Sequence, residues 1–437
     1  MLTRLISFDG TETAVAELLR PDRYRHLFDA LKADGPAIAR GAGLTYCGAS
    51  AGAGVRSVSS LLFNRILDFD GTAGRVRVEP GIDLGSLYRF TVPRGWMLPI
   101  MPGHPSITVG GCVGCNVHGK NHCREGNFIN AVESLTLFHP DHGEIFCSRT
   151  EAPEVFHLTV GGFGLTSFLT SVELRLGKFT DSAVHLRRQR AANLLEAVDQ
   201  MEACPDADLL YSWHNCNRAG EDFGAGYVYT GTVTDGPPAA ELRYRRLTPE
   251  GRARWSVGPL SRFTTRLAAW AYGWSQRLGR EEKVLPLAAA VFPINGKEIY
   301  FHLYGSAGFR EYQVLIPRAR WRETVEGLAP LIRRHGVPIG LASLKLFRGS
   351  PSYLHFDGSG VCLALDAPAL DDTPKLFADL DALTLSVGGL VNIAKDSRLG
   401  ASLVSRLYPE YERFKADLAA FDPRRRFDSA LRRRLDV

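Results

Sequence analysis

Pro102-Gly103-His104-Pro105-Ser106-Ile107-Thr108-Val109-Gly110-Gly111-Cys112-Val113-Gly114-Cys115-Asn116-Val117-His118-Gly119-Lys120-Asn121-His122 is the stretch that decides how the first third of the chain is read. Four glycines fall between 103 and 114 with little side-chain bulk among them, which suits a backbone wrapping closely around an extended diphosphate. The glycine content from Pro102 to Phe128 is too high for a regular helix or strand, yet the composition is not that of a Ser/Gly linker. A loop of this kind approaches a ligand. His118, Lys120, Asn121 and His122 then offer hydrogen-bonding groups where a polar ring would be met. Cys112 and Cys115 form a lone C-x-x-C, and the glycines around them explain the segment without a metal, so none is expected.

Working outward, Pro36 to Tyr46 reads as a short apolar strand that breaks into Arg40-Gly41-Ala42-Gly43-Leu44-Thr45-Tyr46. Two glycines one residue apart let backbone N–H groups face an anion, although an ordinary tight turn has the same look. Residues 12–34 read as an amphipathic helix and connection. Arg75 to Pro80 alternates as a half-buried strand, and Asp83 to Thr91 reads as a helix with Asp83 as its cap. From Val160 a glycine turn feeds a strand toward Leu176. No G-x-G-x-x-G opens a helix in a βαβ unit, so ordinary Rossmann binding is disfavoured.

The length of 437 residues exceeds one ordinary core, and 45% hydrophobic with 23% charged residues is the balance of a globular protein. We expect an α+β protein of three segments: residues 1–177, a second α+β unit over 178–389, and a return to the glycine-and-strand style over 390–437. In the middle, Ala192 to Met201 reads as helix, and Glu298 to Tyr304 and Tyr312 to Ile316 read as strands. A charged helix is expected from about Tyr408. A net charge of +5 on 52 basic and 47 acidic residues lacks the field of a nucleic-acid binder, so no nucleic acid is expected as a partner. Asp9, Glu12 and Glu17 interrupt the first twenty residues, so neither an export signal nor a membrane span is expected, and the location reads as cytoplasmic or peripheral to a membrane. Eight cysteines read as reduced thiols.

These residues resemble the FAD-linked oxidases of the vanillyl-alcohol oxidase type, with the PCMH-type FAD-binding domain, and within them the decaprenylphosphoryl-ribose 2-oxidases. RGAGLTY (40–46), RVRVEPGIDLGSLYRFTVPRGWMLPIMPGHPSITVGG (75–111), NVHGKNH (116–122) and TVGGFGLT (159–166) carry the likeness, which returns at YQVLIP (312–317), KLF (345–347) and AKDSR (394–398). The resemblance implies an FAD domain built from the N-terminal region and the C-terminal tail, with an inserted antiparallel sheet over the flavin. It implies that Arg40, Gly41, Ala42, Gly43, Leu44, Thr45, Tyr46, Pro102, Gly103, Thr108, Gly110, Gly111, Cys112, Val113 and Gly164 serve the diphosphate and adenosine side. His118, Gly119, Asn121, Asn392 and Lys395 fall beside the flavin, and Tyr46, Trp213, Gln313, Lys345 and Lys395 at the substrate. Two departures stand out: Asn392 where the family commonly has Tyr, and His104 where Thr is usual. The first loop offers no histidine for a covalent link, so FAD is expected to be non-covalent.

Lys395 and His118 are the catalytic candidates the resemblance implies, the lysine to balance charge on reduced flavin or act as base and the histidine to handle a proton. The implied partners are a sugar or lipid-linked sugar substrate and a short-chain reductase completing an epimerisation. Alternatives are an aldonolactone or alditol oxidase acting on a free sugar, against which NVHGKNH argues, and a non-catalytic flavin-binding scaffold, against which His118 together with Lys395 argues. Arg252 to Arg280 interleaves Arg252, Arg254, Arg262, Arg266, Arg277 and Arg280 with Trp255, Phe263, Trp270, Tyr272 and Trp274. It reads either as a docking segment for an anionic membrane surface or as a cap helix whose aromatics fill the core.

Overall fold

The structure, a computed structural model, describes residues 2–179, 182–218, 220–236, 241–247, 249 and 258–437. The chain opens with β1 (Leu2–Ile6) and β2 (Thr13–Leu19), an antiparallel pair, followed by α1 (Tyr24–Lys32). The helix expected from residue 12 therefore begins only at Tyr24. Thr13–Glu17 pairs residue for residue with Leu2–Ile6, and that ladder holds the run extended although only Ala16 of it is buried. β3 (Ala37–Arg40) and β4 (Arg56–Ser59) complete a four-stranded sheet in the order β1-β2-β4-β3.

A second sheet uses β5 (Ile66–Asp70) and β6 (Arg75–Val78). α2 (Leu84–Thr91) follows, with the Asp83 carboxylate accepting from the Ser86 N–H at 2.8 Å as the sequence predicted. Next come a two-residue β7 (Trp96–Met97), α3 (Val109–Gly114), α4 (His122–Glu125), β8 (Val132–His139), β9 (Gly143–Ser148), α5 (Pro153–Thr159), β10 (Phe168–Arg175) and β11 (Gly177–Lys178), which pairs with β7. The sheet order is β5-β6-β10-β8-β9, all antiparallel. The glycine stretch expected to lack regular structure holds a full helix, α3. Thr108 caps it by accepting from the Gly111 N–H, and Val109, Cys112 and Val113 bury its apolar side, so capping and packing override the weak helix propensity of glycine.

The middle of the chain builds one eight-stranded antiparallel sheet. Its members are β12 (Ala183–Ala191), β13 (Leu209–Asn215) and β14 (Ala225–Thr234), with α6 (Leu194–Glu202) between the first two. Then follow α7 (Arg262–Leu278), β15 (Glu282–Pro286), α8 (Leu287–Val291), α9 (Ile299–His302), β16 (Phe309–Ile316), α10 (Trp321–His335), β17 (Leu341–Phe347), β18 (Gly360–Pro368), α11 (Thr373–Ser386) and β19 (Leu390–Val391). The order is β15-β12-β14-β13-β17-β18-β16-β19, so the tail drawn from residue 390 contributes its first two residues to this sheet. Glu298 to Tyr304, expected as a strand, is the short helix α9; its tyrosines and Phe301 pack with Phe8 and Phe309. The tail then forms α12 (Ala401–Leu407), α13 (Tyr411–Phe421) and α14 (Ala430–Leu435). Ala37 donates to the Arg426 carbonyl and Ala430 to the Ala51 carbonyl, at 2.8 Å each, which ties the tail to the first sheet.

Strand alternation gives the large sheet two different faces. Tyr312, Val314, Ile316, Leu344, Leu363 and Leu365 point into a core filled by Trp321 and Leu328 of α10, Leu376 and Phe377 of α11, and Val198 and Met201 of α6. The opposite face carries Glu311, Gln313, Asp366 and Lys345, together with Trp213, Tyr227 and Tyr229. That polar, aromatic face is where the site lies. All eight cysteines are free. No grouping of His, Cys, Asp and Glu able to hold a metal exists among the described residues. No helix there is long and apolar enough to cross a membrane.

Candidate active site

The two glycine loops meet. β3 ends at Arg40, whose buried guanidinium donates to the Ser50 hydroxyl at 2.8 Å, and the chain turns past Thr108 at Gly41. A Cβ at Gly41 would sit 2.3 Å from Thr108 Oγ1, so only glycine lets the loops approach this closely. Gly110 is equally confined: its N–H donates to the Pro80 carbonyl at 2.7 Å, and a Cβ would fall 2.9 Å from the Pro80 ring. Cys112 and Val113 are buried on α3, and the Gly161–Gly164 turn is zipped onto it by Gly161 N–H to Val113 and Phe163 N–H to Gly114, both 2.8 Å. Gly164 lies against Gly114.

The first loop also reaches the C-terminal segment. Tyr46 N–H donates to the Ala394 carbonyl at 3.1 Å, and Lys395 Nζ stands 4.1 Å from the centre of the buried Tyr46 ring. Lys395 donates to Glu311 Oε2 at 3.2 Å, and Glu311 faces Asp366 directly across the β16–β18 pair. Burial alone would lower the lysine pKa, but the Glu311 carboxylate and the Tyr46 hydroxyl outweigh it, so the ammonium is held charged. Asp366 moves the other way: burial first and the Glu311 charge second push its carboxyl up to about 8, which leaves it largely protonated at neutral pH. Tyr300 donates to Asp366 Oδ2 at 3.0 Å and shares a 2.6 Å hydrogen bond with Tyr304. One cation, one carboxylate and one neutral acid therefore sit together at the edge of the Tyr46 loop.

Gln313 is two residues along β16 from Glu311, on the same face and 2% exposed. Its side-chain oxygen accepts from Asn392, whose backbone N–H also donates to the Gln313 carbonyl at 2.8 Å; Asn392 Oδ1 in turn accepts from Ala394 N–H and turns the chain toward Lys395.

His118 is enclosed between the rings of Phe347 and Phe356, at 5.0 and 6.3 Å. Its Nδ1 meets the Gly119 carbonyl at 3.1 Å; a carbonyl only accepts, so Nδ1 carries the hydrogen and Nε2 keeps its lone pair. Burial, reinforced by the charge of Lys345, holds its pKa well below the ordinary histidine range. His118 is a neutral imidazole, with Nε2 open as a proton acceptor. Lys120 beside it donates to the Val291 carbonyl at 2.7 Å, and burial with the nearby Lys345 pushes its pKa down to about 7. Asn121 donates to the Pro99 carbonyl at 3.2 Å, which folds the end of this loop back on itself.

The structure thus brings Tyr46, Lys395, Asn392, Gln313, Lys345 and His118 toward one face of the large sheet. Trp213 is on that face too, but farther along, where its ring packs 4.7 Å from Tyr272 of α7. His104 is a buried structural residue, with Nδ1 accepting from Ser106 N–H and Nε2 meeting Glu298 at 3.2 Å. Glu311, Asp366 and Tyr300 were not singled out from the sequence, whereas Lys120 was, among the hydrogen-bonding groups that follow the glycine stretch. Period two along β16 places Glu311 beside Gln313, and a lone acid inside GVCLALDAP (360–368) marks Asp366, so two of the three carried a readable signal.

Comparison with known proteins adds to this geometry. Residues 25–147 match the model of an FAD binding domain. The chain is 27% identical over 426 residues to the decaprenylphosphoryl-beta-D-ribose oxidase of Mycolicibacterium smegmatis, covering 92% of this chain and 89% of that one. It is 29% identical over 384 residues to an uncharacterized protein of Streptomyces coelicolor, covering 82% of this chain and all of the other. A human delta(24)-sterol reductase is 29% identical over 112 residues, 25% of this chain and 22% of the reductase.

Proposed function

Because this chain belongs to the FAD-linked oxidases built on this type of FAD domain, with FAD as its cofactor, we propose that it oxidises a secondary alcohol on a sugar, and that the sugar is a pentose carried by a polyprenyl phosphate. The single observation that carries the reading is the charged Lys395, held between Glu311 and Tyr46 where the first glycine loop meets the polar face of the sheet. The residues present fit FAD: where Gly41 meets Thr108 and Gly110 meets Pro80 an added Cβ would collide with the neighbouring chain, so glycine brings the two loops together with bare backbone, the kind of surface that approaches a diphosphate. Arg40 to Tyr46, Thr108 and Gly110 to Val113 would hold the diphosphate and adenosine, and His118, Gly119 and Lys395 the ring.

FAD, when bound, supplies the two-electron acceptor for the alcohol. The protein supplies position, charge and proton handling. The Lys395 ammonium would stabilise negative charge on a bound FAD, and its ion pair with Glu311 favours its keeping its proton. That assigns the base role to His118, whose unprotonated Nε2 accepts the hydroxyl proton. Gln313 and Lys345 offer donors for sugar hydroxyls or the phosphate, and the Phe347 and Phe356 rings pack against His118 on two sides. The likeness to an oxidase whose name specifies a polyprenyl-phosphate pentose supports the substrate class over a free sugar. A ketone left on the sugar could be reduced from the opposite face, and for that step we propose a short-chain reductase as partner, completing an epimerisation.

Turnover with an artificial electron acceptor tests the substrate class. Polyprenyl-phosphate arabinose or ribose is expected to give a kcat/KM at least ~100-fold above the free pentoses, because the lipid phosphate supplies binding energy remote from the reacting carbon. Equal activity on free alditols would replace this reading with a soluble-sugar oxidase.

A further inference from the structure

Helix α7 has two differently used sides. It begins with a capping box in which Ser261 and Thr264 exchange hydrogen bonds with each other's backbone N–H, and it runs seventeen residues to Leu278. Its inner side is fully engaged. Thr265 and Ala269 are buried, Tyr272 packs on Trp213, Gly273 passes the edge of the same indole, and Gln276 accepts from the Tyr229 hydroxyl at 2.9 Å. Arg188 of β12 donates to Gln276 and to the Gly279 carbonyl and fastens the C-terminal end. The helix therefore lies over the aromatic continuation of the face that carries Lys345 and Gln313.

The outer side is the opposite of what water selects. Phe263, Leu267, Trp270, Trp274 and Leu278 are 74, 50, 50, 51 and 75% exposed. Their spacing of four, three, four and four residues puts all five on one stripe about a quarter of the circumference wide. Exposed apolar side chains are ordinary singly; five large ones in one row, two of them tryptophan, mark a contact surface. Phe263, Trp270, Tyr272 and Trp274, which the sequence allowed as core filling, are thus all exposed; Tyr272, at 45%, also packs its ring on Trp213. Arg252, Arg254 and Trp255 of the same stretch lie outside the described residues.

Charge selects the occupant. Between Gly258 and Arg280 there is no acidic residue, and Arg266 and Arg277 flank the stripe on one side with Arg280 just past its end, all exposed. Arg262 is committed to Asp372, and Glu281 and Glu282 follow only after the helix has ended. A water-facing row of Phe, Leu and Trp edged by arginine without carboxylates complements an apolar layer beneath a sheet of anionic head groups. We propose that α7 docks this protein in the plane of an anionic phospholipid surface, with Phe263, Leu267, Trp270, Trp274 and Leu278 entering the interface. The surface argument stands on the geometry of α7; it rests on the lipid-linked reading above only for why the docking helix covers the substrate face.

The test uses the flavin-loaded full-length protein without substrate, so that its outcome is independent of which sugar is oxidised. Co-sedimentation is measured with phosphatidylcholine vesicles and with vesicles of equal parts phosphatidylcholine and phosphatidylglycerol, at low and high salt. The wild type is expected to bind the anionic vesicles, and binding should weaken as salt rises and the Debye length falls below ~10 Å. Trp270→Ser/Trp274→Ser should lower the partition coefficient about tenfold or more, since each indole transfers substantial apolar area, and should keep its flavin, because both side chains are half-exposed. Arg266→Gln/Arg277→Gln should lose the preference for anionic over neutral vesicles. Wild-type protein that stays in the supernatant overturns the proposal, as does a Trp270/Trp274 variant that binds like the wild type. A third result would overturn it too: a wild type that is a dimer by light scattering and becomes monomeric in the tryptophan variant with vesicle binding unchanged, which makes the stripe a contact between two copies of this chain.

Discussion

Replacing Glu311 by glutamine removes the carboxylate that Lys395 Nζ meets at 3.2 Å and leaves shape and hydrogen-bonding capacity almost unchanged. Deleting one partner of a fully buried pair ordinarily costs about 3–5 kcal/mol, because the other charge is left without compensation, and since the Lys395 side chain is 32% exposed that range is an upper limit here. Here a second acid stands directly across the strand pair. Asp366 is kept protonated by its burial first and by the Glu311 charge second, so removing Glu311 lets Asp366 ionise and serve Lys395 in its place. The net destabilisation at pH 7 should then fall to about 1–3 kcal/mol. The pH dependence carries the sharper signature. An acid whose folded pKa is raised contributes stability that is complete below its unfolded value, 3.8, and is lost as pH rises through its folded value, about 8. In the wild type this one group should therefore make stability fall between about pH 4 and pH 8, by at most ~1.4 kcal/mol per pH unit. In Glu311→Gln that slope should flatten, and in Asp366→Asn it should vanish, leaving the variant no less stable than the wild type at pH 7 because the neutral amide carries no protonation cost. The double variant leaves Lys395 with neither acid and should cost more than the two single changes together. Urea unfolding of the four proteins at pH 5, 6, 7 and 8 measures all of this. A Glu311→Gln protein with wild-type stability and the wild-type slope would refute the coupling of Lys395, Glu311 and Asp366.

Four other outcomes follow from the site. Lys395→Met should keep its FAD but slow flavin reduction about 10²–10³-fold, the usual worth of one preorganised electrostatic contact, and single-turnover reduction under nitrogen measures it. Acid precipitation of the protein should release intact FAD into the supernatant, since residues 40–46 hold no histidine, and Gly110→Ala should weaken FAD affinity because its new Cβ meets Pro80 at 2.9 Å; fluorescence of released flavin and reconstitution titrations read both. The acidic limb of the kcat/KM profile should fall well below the ordinary histidine pKa of about 6.5, because burial holds His118 neutral and its base form persists to lower pH. A limb at the ordinary histidine value that disappears in His118→Asn would show that this imidazole is solvated.

Local chemistry made parts of the fold legible. Asp83 as a cap, the alternation of Arg75 to Val78, and the strand around Gln313 each announce themselves within a few residues, and all three appear in the structure. The glycine loops were legible as close-approach segments because only glycine tolerates such contacts, while α3 inside the second one was hidden: its stability comes from the Thr108 cap and the burial of Cys112 and Val113. Thr13–Leu19 and Glu298–Tyr304 were misread because a short amphipathic run fits both periods, and tertiary packing decides between them. Lys395 and His118 stood out through the family resemblance, whereas Glu311 and Asp366 acquire their meaning only from the register that places them opposite each other. Which aromatics of α7 face water is likewise a property of the sheet beneath it.

The most direct measurement is an anaerobic titration of the flavin-loaded protein with a polyprenyl-phosphate pentose, followed by flavin absorbance and by mass analysis of the sugar. We predict that the flavin bleaches stoichiometrically, that the sugar loses two hydrogens to become a ketone, and that free pentose at the same concentration leaves the flavin oxidised. A flavin that stays oxidised with the lipid-linked sugar, or that free pentose bleaches as fast, would contradict the account.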